Sequence, residues 1–189
     1  MLLEMKNQKN PSLINSPSNS LVVWLTGLPG AGKTTLAESF AIKFSEFYKI
    51  KVLDGDQLRK DYPALGFTKV DRMAHIGRVG KLAAEYERQG YIVVVALVSP
   101  YTEARDLARA SCKKFFEVYV ATPLKVCIQR DPKGLYKKAL KNEIENFTGI
   151  SDPYEVPTKP DLMLDTSKEN LDTSLARIYA LVSLSLRNP

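Results

Sequence analysis

The chain has 189 residues, a formal net charge of +6 at pH 7 and two cysteines. That length suits one domain with a sizeable core, and the longest apolar run, Tyr91 to Val98, falls far short of the roughly 20 residues a membrane-spanning helix needs. MLLEMKNQKN lacks the apolar stretch and cleavage site of a secretory signal, and Cys112 and Cys127 lack metal-ligand spacing; both features predict a soluble protein of a reducing, cytoplasmic compartment, without a membrane partner.

Residues 1–20 are rich in Asn, Ser and Pro without periodicity and predict a flexible tail, leaving 21–189 as the folded domain. Leu21 to Leu25 is an apolar, β-prone run that feeds straight into a glycine-punctuated turn and then into helix formers. The turn reads Gly27, Leu28, Pro29, Gly30, Ala31, Gly32, Lys33, Thr34, Thr35. It fits G-x-x-x-x-G-K-[ST] in the strand, loop, helix context that a phosphate loop requires. Glycines let the backbone curl until several N–H groups face one anion, and the helix start adds its positive end. Lys33 supplies a point charge for the outer phosphates of ATP, and the Thr34 hydroxyl is an oxygen ligand suited to Mg²⁺. Leu36, Phe40, Phe44 and Phe47 then recur at helical spacing, predicting a helix over Lys33 to Tyr48 with one buried face.

A second strand around Val52 and Leu53 ends in Asp54-Gly55-Asp56. In an open α/β sheet the carboxyl ends of strands line the ligand crevice, so both carboxylates are placed beside the phosphate loop. One could hold Mg²⁺ and its waters while the other orients or deprotonates an attacking hydroxyl; the same tripeptide is also a common turn and helix cap. A long helical pattern from Thr68 to Gln89 carries the only histidine, His75. The run Tyr91 to Val98 reads as a strand buried on both faces that opens onto Ser99, Pro100 and Tyr101. A helix over Thr102 to Cys112, a strand over Phe115 to Val120 and a helix from Pro123 to Ile128 follow. RDPKGLYKKALK, Arg130 to Lys141, is the densest basic segment, and with the long excursion to Pro160 it predicts a lid over about 130–160. No strand-borne aromatic signature accompanies those charges, so nucleotide phosphates are the expected anion and nucleic acid is not an expected partner; a solvated basic helix face is the alternative. Leu162 to Thr166 supplies a last strand, and Leu171, Leu175, Ile178, Leu181 and Val182 give the closing helix an apolar stripe. The alternation of elements predicts an α/β fold with a mainly parallel five-stranded sheet and helices on both faces.

WLTGLPGAGKTT, LDGDQLR, LGFTKVDR, VSPYTEARD, FFEVYVATPLKVCIQRDPKGLYKKA and FTGISDPYE occur in an order that resembles the adenylyl-sulfate (APS) kinase family. The resemblance spans nearly everything from Leu21 to Thr166. It implies a P-loop kinase three-layer sandwich with a lid, ATP and Mg²⁺ as cofactors, and adenosine 5′-phosphosulfate (APS) as substrate. The implied reaction is phosphorylation of the ribose 3′-hydroxyl to give 3′-phosphoadenylyl sulfate. Position by position, Asp56 resembles the family's base or hydroxyl-orienting carboxylate, with Asp54 beside it. Arg59, Phe67, Arg72 and Phe147 match its substrate-binding positions, Pro100 and Tyr101 fall in the matched segment VSPYTEARD, and His75 stands close to Arg72. Guanidinium forks suit a phosphosulfate polyanion, and two phenylalanines from different loops suit a flat purine. Ser99 matches a serine described as a phosphorylated intermediate, although in-line transfer needs no such group and a cleft hydrogen bond accounts for it equally well. Arg130 and Lys133 resemble the family's lid, where fixed positive charge stabilises the migrating phosphoryl group.

The chain departs from that pattern at three places. His75 stands where the family usually has Asn, Gly77 where it usually has Arg, and GLPGAGKT replaces GLSGAGKS. His75 titrates near neutrality on residue type alone, which predicts substrate affinity falling as it loses its proton. A P-loop kinase with another small acceptor, or a nucleotide-binding module without catalysis, are the rival readings. A homodimer is the expected assembly, being the commonest among soluble proteins.

Overall fold

A computed structural model describes residues 20–60 and 66–187, so the predicted tail before Ser20 lies outside the described residues. Five strands alternate with helices: β1 (Leu21–Thr26), α1 (Lys33–Phe44), β2 (Ile50–Asp54), α2 (Gly55–Lys60), α3 (Lys69–Arg88), β3 (Ile92–Ala96), α4 (Thr102–Ser111), β4 (Phe115–Val120), α5 (Leu124–Arg130), α6 (Leu135–Leu140), β5 (Leu162–Leu164) and α7 (Leu171–Arg187). The sheet order is β2-β3-β1-β4-β5 and every pairing is parallel. All strand carboxyl ends therefore emerge at one edge, with the phosphate loop at its centre.

Why three layers form is visible in β1. Side chains alternate across a strand, so Leu21, Val23 and Leu25 enter one core with Leu36, Phe40 and Phe44 of α1 and Leu175, Ile178 and Val182 of α7. Val22 and Trp24 enter the opposite core with Ile76, Val79 and Ala83 of α3 and Ala104 and Ala108 of α4. A strand buried on both faces has no polar side to show, and its sequence is accordingly apolar from Leu21 to Leu25, with Thr26 at its end. Helices α3 and α4 approach closely at Gly80, where an added Cβ would stand 2.9 Å from the Ala108 Cα. Thr68 starts α3 through a capping box with Asp71.

Three local expectations shift. Helix α1 ends at Phe44, four residues before Tyr48, because the Phe47 N–H turns back to the Phe44 carbonyl at 3.0 Å and tightens the chain toward β2. Phe47 still packs against the core from that turn. Leu171 is 42% exposed, since it opens α7 at the cavity rim before the apolar stripe meets the sheet. The short helices α2 and α6 carry no periodic signal long enough to be read from sequence. Among the described residues no helix is long and apolar enough to cross a membrane.

Candidate active site

A cavity of about 1230 Å³ opens at the carboxyl edge of the sheet. Its floor is the loop between β1 and α1. Gly27 (φ 151°), Gly30 (φ 74°) and Gly32 (φ 99°) adopt backbone that disfavours side chains, and a Cβ at Gly27 would stand 2.5 Å from the Val120 carbonyl oxygen. Pro29, Gly30, Gly32, Lys33, Thr34 and Thr35 line the cavity, whereas Gly27, Leu28 and Ala31 form the back of the loop. Lys33 is buried, and its ammonium donates to the carbonyls of Gly27 and Leu28, each at 2.8 Å. Burial pushes its pKa down to about 8, against the pull of Asp56 and Asp54.

The loop is pinned from both sides. Toward β4 and β5, the hydroxyls of Thr122 and Thr166 both donate to the Ala31 carbonyl, at 3.1 and 2.9 Å, and Arg130 clamps Thr166 through its hydroxyl (2.7 Å) and carbonyl (2.8 Å). Toward β2, the Thr34 hydroxyl donates to Asp54 Oδ2 at 2.7 Å. Asp54 Oδ1 accepts the N–H groups of Asp56 (2.9 Å) and Gln57 (3.1 Å) and so caps α2. The cap and the cavity carboxylate are thus one side chain. Asp56 itself is exposed and forms an ion pair with Lys133, which reaches across from the segment between α5 and α6. A hydroxyl held against a carboxylate is a hard oxygen pair that fits Mg²⁺, which keeps most of its waters and needs few protein ligands. Among the described residues no group of three or more His, Cys, Asp or Glu offers a fuller metal cage.

The β2 end of the cavity gathers Arg59, Phe67, Arg72, His75 and Phe147. Arg59 and Arg72 stand 4.4 and 5.6 Å from the Phe67 ring centroid, and Phe67 is 54% exposed. Both guanidinia also serve as struts. Arg59 donates to the Gly66 carbonyl at 3.0 Å, while Arg72 donates to the carbonyls of Phe67 (3.0 Å) and Asn146 and stands 3.8 Å from Asp152. Phe147 is buried edge-on against Tyr136, with ring centroids 5.0 Å apart.

His75 is only 4% exposed, and neither ring nitrogen has a well-formed hydrogen bond. Burial, followed by Arg59 and Arg78, lowers its pKa from 6.5 to about 4. The expectation that His75 titrates near neutrality is therefore corrected: it is a neutral imidazole across the physiological range.

Ser99 and Pro100 also line the cavity. Ser99 is buried with φ 39°; its Oγ accepts the Trp24 indole N–H at 3.0 Å, and its carbonyl accepts from Arg105 at 2.8 Å. Tyr101 lies behind this surface, donating to the Asp152 carboxylate at 2.8 Å.

Two structural partners of the site were not read from sequence. Thr166 stands two residues past the carboxyl end of β5 and would follow from the rule that strand ends line the crevice. Arg105 bonds Glu117 (2.7 Å) and the carbonyls of Ser99 and Glu155, joining elements far apart in the chain, and no local pattern marks it.

Residues 19–165 match the family described as adenylylsulphate kinase. The chain is 47% identical over 168 residues to a probable adenylyl-sulfate kinase of Aeropyrum pernix, covering 86% of this chain and 92% of that one. It is also 47% identical over 171 residues to an adenylyl-sulfate kinase of Chloroflexus aurantiacus, covering 89% and 92%. Among solved structures, the APS kinase of Mycobacterium tuberculosis in complex with AMPPNP and APS superposes with a TM-score of 0.83 at 39% identity, covering 87% of this chain and 98% of that one.

Proposed function

Because the chain belongs to the adenylyl-sulfate kinase family, we propose that it moves the γ-phosphoryl group of ATP onto the 3′-hydroxyl of adenosine 5′-phosphosulfate, giving ADP and 3′-phosphoadenylyl sulfate. The observation that carries this reading is one shared wall: Lys33, the Thr34–Asp54 pair and Asp56 line the same cavity as Arg59, Phe67 and Arg72. Donor phosphates and an anionic purine acceptor then meet at Asp56.

Each residue has a task its chemistry supports. Lys33 gives up its two loop carbonyls for the outer phosphates, a stronger, charge-assisted partner. Thr34 and Asp54 would hold Mg²⁺, which when bound neutralises charge between the β- and γ-phosphates. Asp56 accepts the proton of the 3′-hydroxyl, or aligns it for in-line attack. Lys133 holds Asp56 in the free enzyme and lies near the transfer path, so it neutralises phosphoryl charge once the acceptor takes over the carboxylate. Arg59 and Arg72 bring positive charge to the phosphosulfate while Phe67 offers the purine a ring face. Ser99 acts as a hydrogen-bonding post, because its hydroxyl is buried against Trp24 and its backbone is held by Arg105. The free thiols Cys112 and Cys127 suit a reducing compartment such as the cytoplasm. Homodimeric assembly belongs to the same reading, and light scattering after size-exclusion chromatography tests it.

A coupled ADP-release assay offering APS, shikimate, gluconate and AMP tests the assignment. ADP release with APS alone supports it; turnover with another acceptor and none with APS would overturn it.

A further inference from the structure

Among the described residues, three buried side chains carry polar atoms without a well-formed hydrogen bond: His75, Thr148 and Ser174. All three line the large cavity. A buried hydroxyl left unpaired is costly, so such atoms at a cavity wall are places where a water or a ligand completes the bonding. His75 and Thr148 stand beside Arg72 and Phe147, at the end assigned to the acceptor. Ser174 does not.

Ser174 lies in the first turn of α7 and is 1% exposed, at the end of the cavity shared with Arg130, Thr166 and Leu171. This is the β5 side of the sheet, opposite Asp54 and Asp56 across the central phosphate loop. In-line transfer turns the γ-phosphate toward Asp56, so the nucleoside of the donor must extend the other way. That path runs past Gly32, where an added Cβ would meet Thr166 at 3.5 Å. Neighbouring charged groups are already occupied. Glu169 binds Arg177 and the Asp165 N–H, each at 3.0 Å, and Arg130 is spent on Thr166. The Ser174 N–H closes the first turn onto the Asn170 carbonyl at 3.1 Å, but its hydroxyl takes part in nothing.

We propose that the Ser174 hydroxyl hydrogen-bonds the nucleoside of the phosphoryl donor, making Ser174 a donor-binding residue of this chain. A hydroxyl can donate or accept, so it can serve a purine edge or a ribose. The inference rests on ATP being the donor.

Calorimetric titration of the full chain and of Ser174→Ala with ATP and with inorganic tripolyphosphate tests it. The Kd for ATP rises about three- to ten-fold in the variant, the loss expected of one neutral hydrogen bond. The Kd for tripolyphosphate, which has no nucleoside, stays the same. The nucleotide-free variant melts at the same or a higher temperature, because an unpaired hydroxyl is gone and Ala is the better helix former. An unchanged Kd for ATP would overturn the proposal, and so would an equal loss for ATP and tripolyphosphate, which would put Ser174 at the phosphates. Wild type that fails to bind ATP removes the donor assignment and the inference with it. Wild type that binds ATP no better than the variant removes the inference alone.

Discussion

Replacing His75 by Leu tests the physical reading of the acceptor pocket, because two opposed effects are expected. The imidazole is buried without a well-formed hydrogen bond, although the Gly55 backbone lies beside it, and one unsatisfied buried group costs about 1–3 kcal/mol. A leucine of similar size removes that cost, so the ligand-free variant should gain about 2 kcal/mol, or about 4–8 °C in Tm for a chain of this length. The same substitution deletes a polar partner for an anionic acceptor, and the KM for APS should rise about ten-fold or more.

The pH dependence carries a sign of its own. The folded pKa of His75 lies near 4 against an ordinary 6.5, so between those values the unfolded chain binds a proton that the folded chain refuses. Stability is therefore lost as pH falls from about 6.5 toward 4, by about 3 kcal/mol in the limit, and His75→Leu should lack that slope. Across pH 6 to 8 the KM for APS should show no step belonging to His75. Thermal melts from pH 4 to 8 and steady-state kinetics from pH 6 to 8 read both quantities. A wild-type KM that steps near neutrality, with the step absent in His75→Leu, would refute the buried neutral imidazole; a variant with unchanged KM would refute its contact with the acceptor.

Asp56→Asn should lower kcat by about 10²–10⁴-fold with little change in the KM for ATP, as measured by ADP release, since the role proposed for its carboxylate is confined to the transfer step. Lys33, with its pKa near 8, should make ATP affinity fall as pH rises through that value, because the phosphates need the charged form. Binding there should take up protons, which calorimetry in buffers of different ionisation enthalpy detects. Along α3 two glycines should respond oppositely to alanine in chemical denaturation. Gly77→Ala meets nothing within 4 Å and should stabilise by about 0.5–1 kcal/mol, whereas Gly80→Ala drives a methyl against Ala108 and should destabilise by about 1–3 kcal/mol.

What could be read ahead of the structure follows from how local each signal is. The phosphate loop was legible because its glycine spacing is dictated by backbone geometry within a few residues of one strand end. β1 and β3 were legible because strands buried on both faces admit almost no polar residues. Lys133 meeting Asp56, and Arg72 reaching the Asn146 carbonyl, join residues more than 70 positions apart and leave no mark on local periodicity. His75 shows the same limit in electrostatic form. Residue type sets its reference pKa, while the burial and the neighbouring Arg59 and Arg78 that displace it exist only in the fold.

The most direct test of the account is to follow the transferred group itself. With γ-¹⁸O-labelled ATP and APS, mass spectrometry should find the label in 3′-phosphoadenylyl sulfate and none on the protein. Label held on Ser99, or APS left unconsumed while ATP is bound, would contradict direct transfer to the ribose hydroxyl at Asp56.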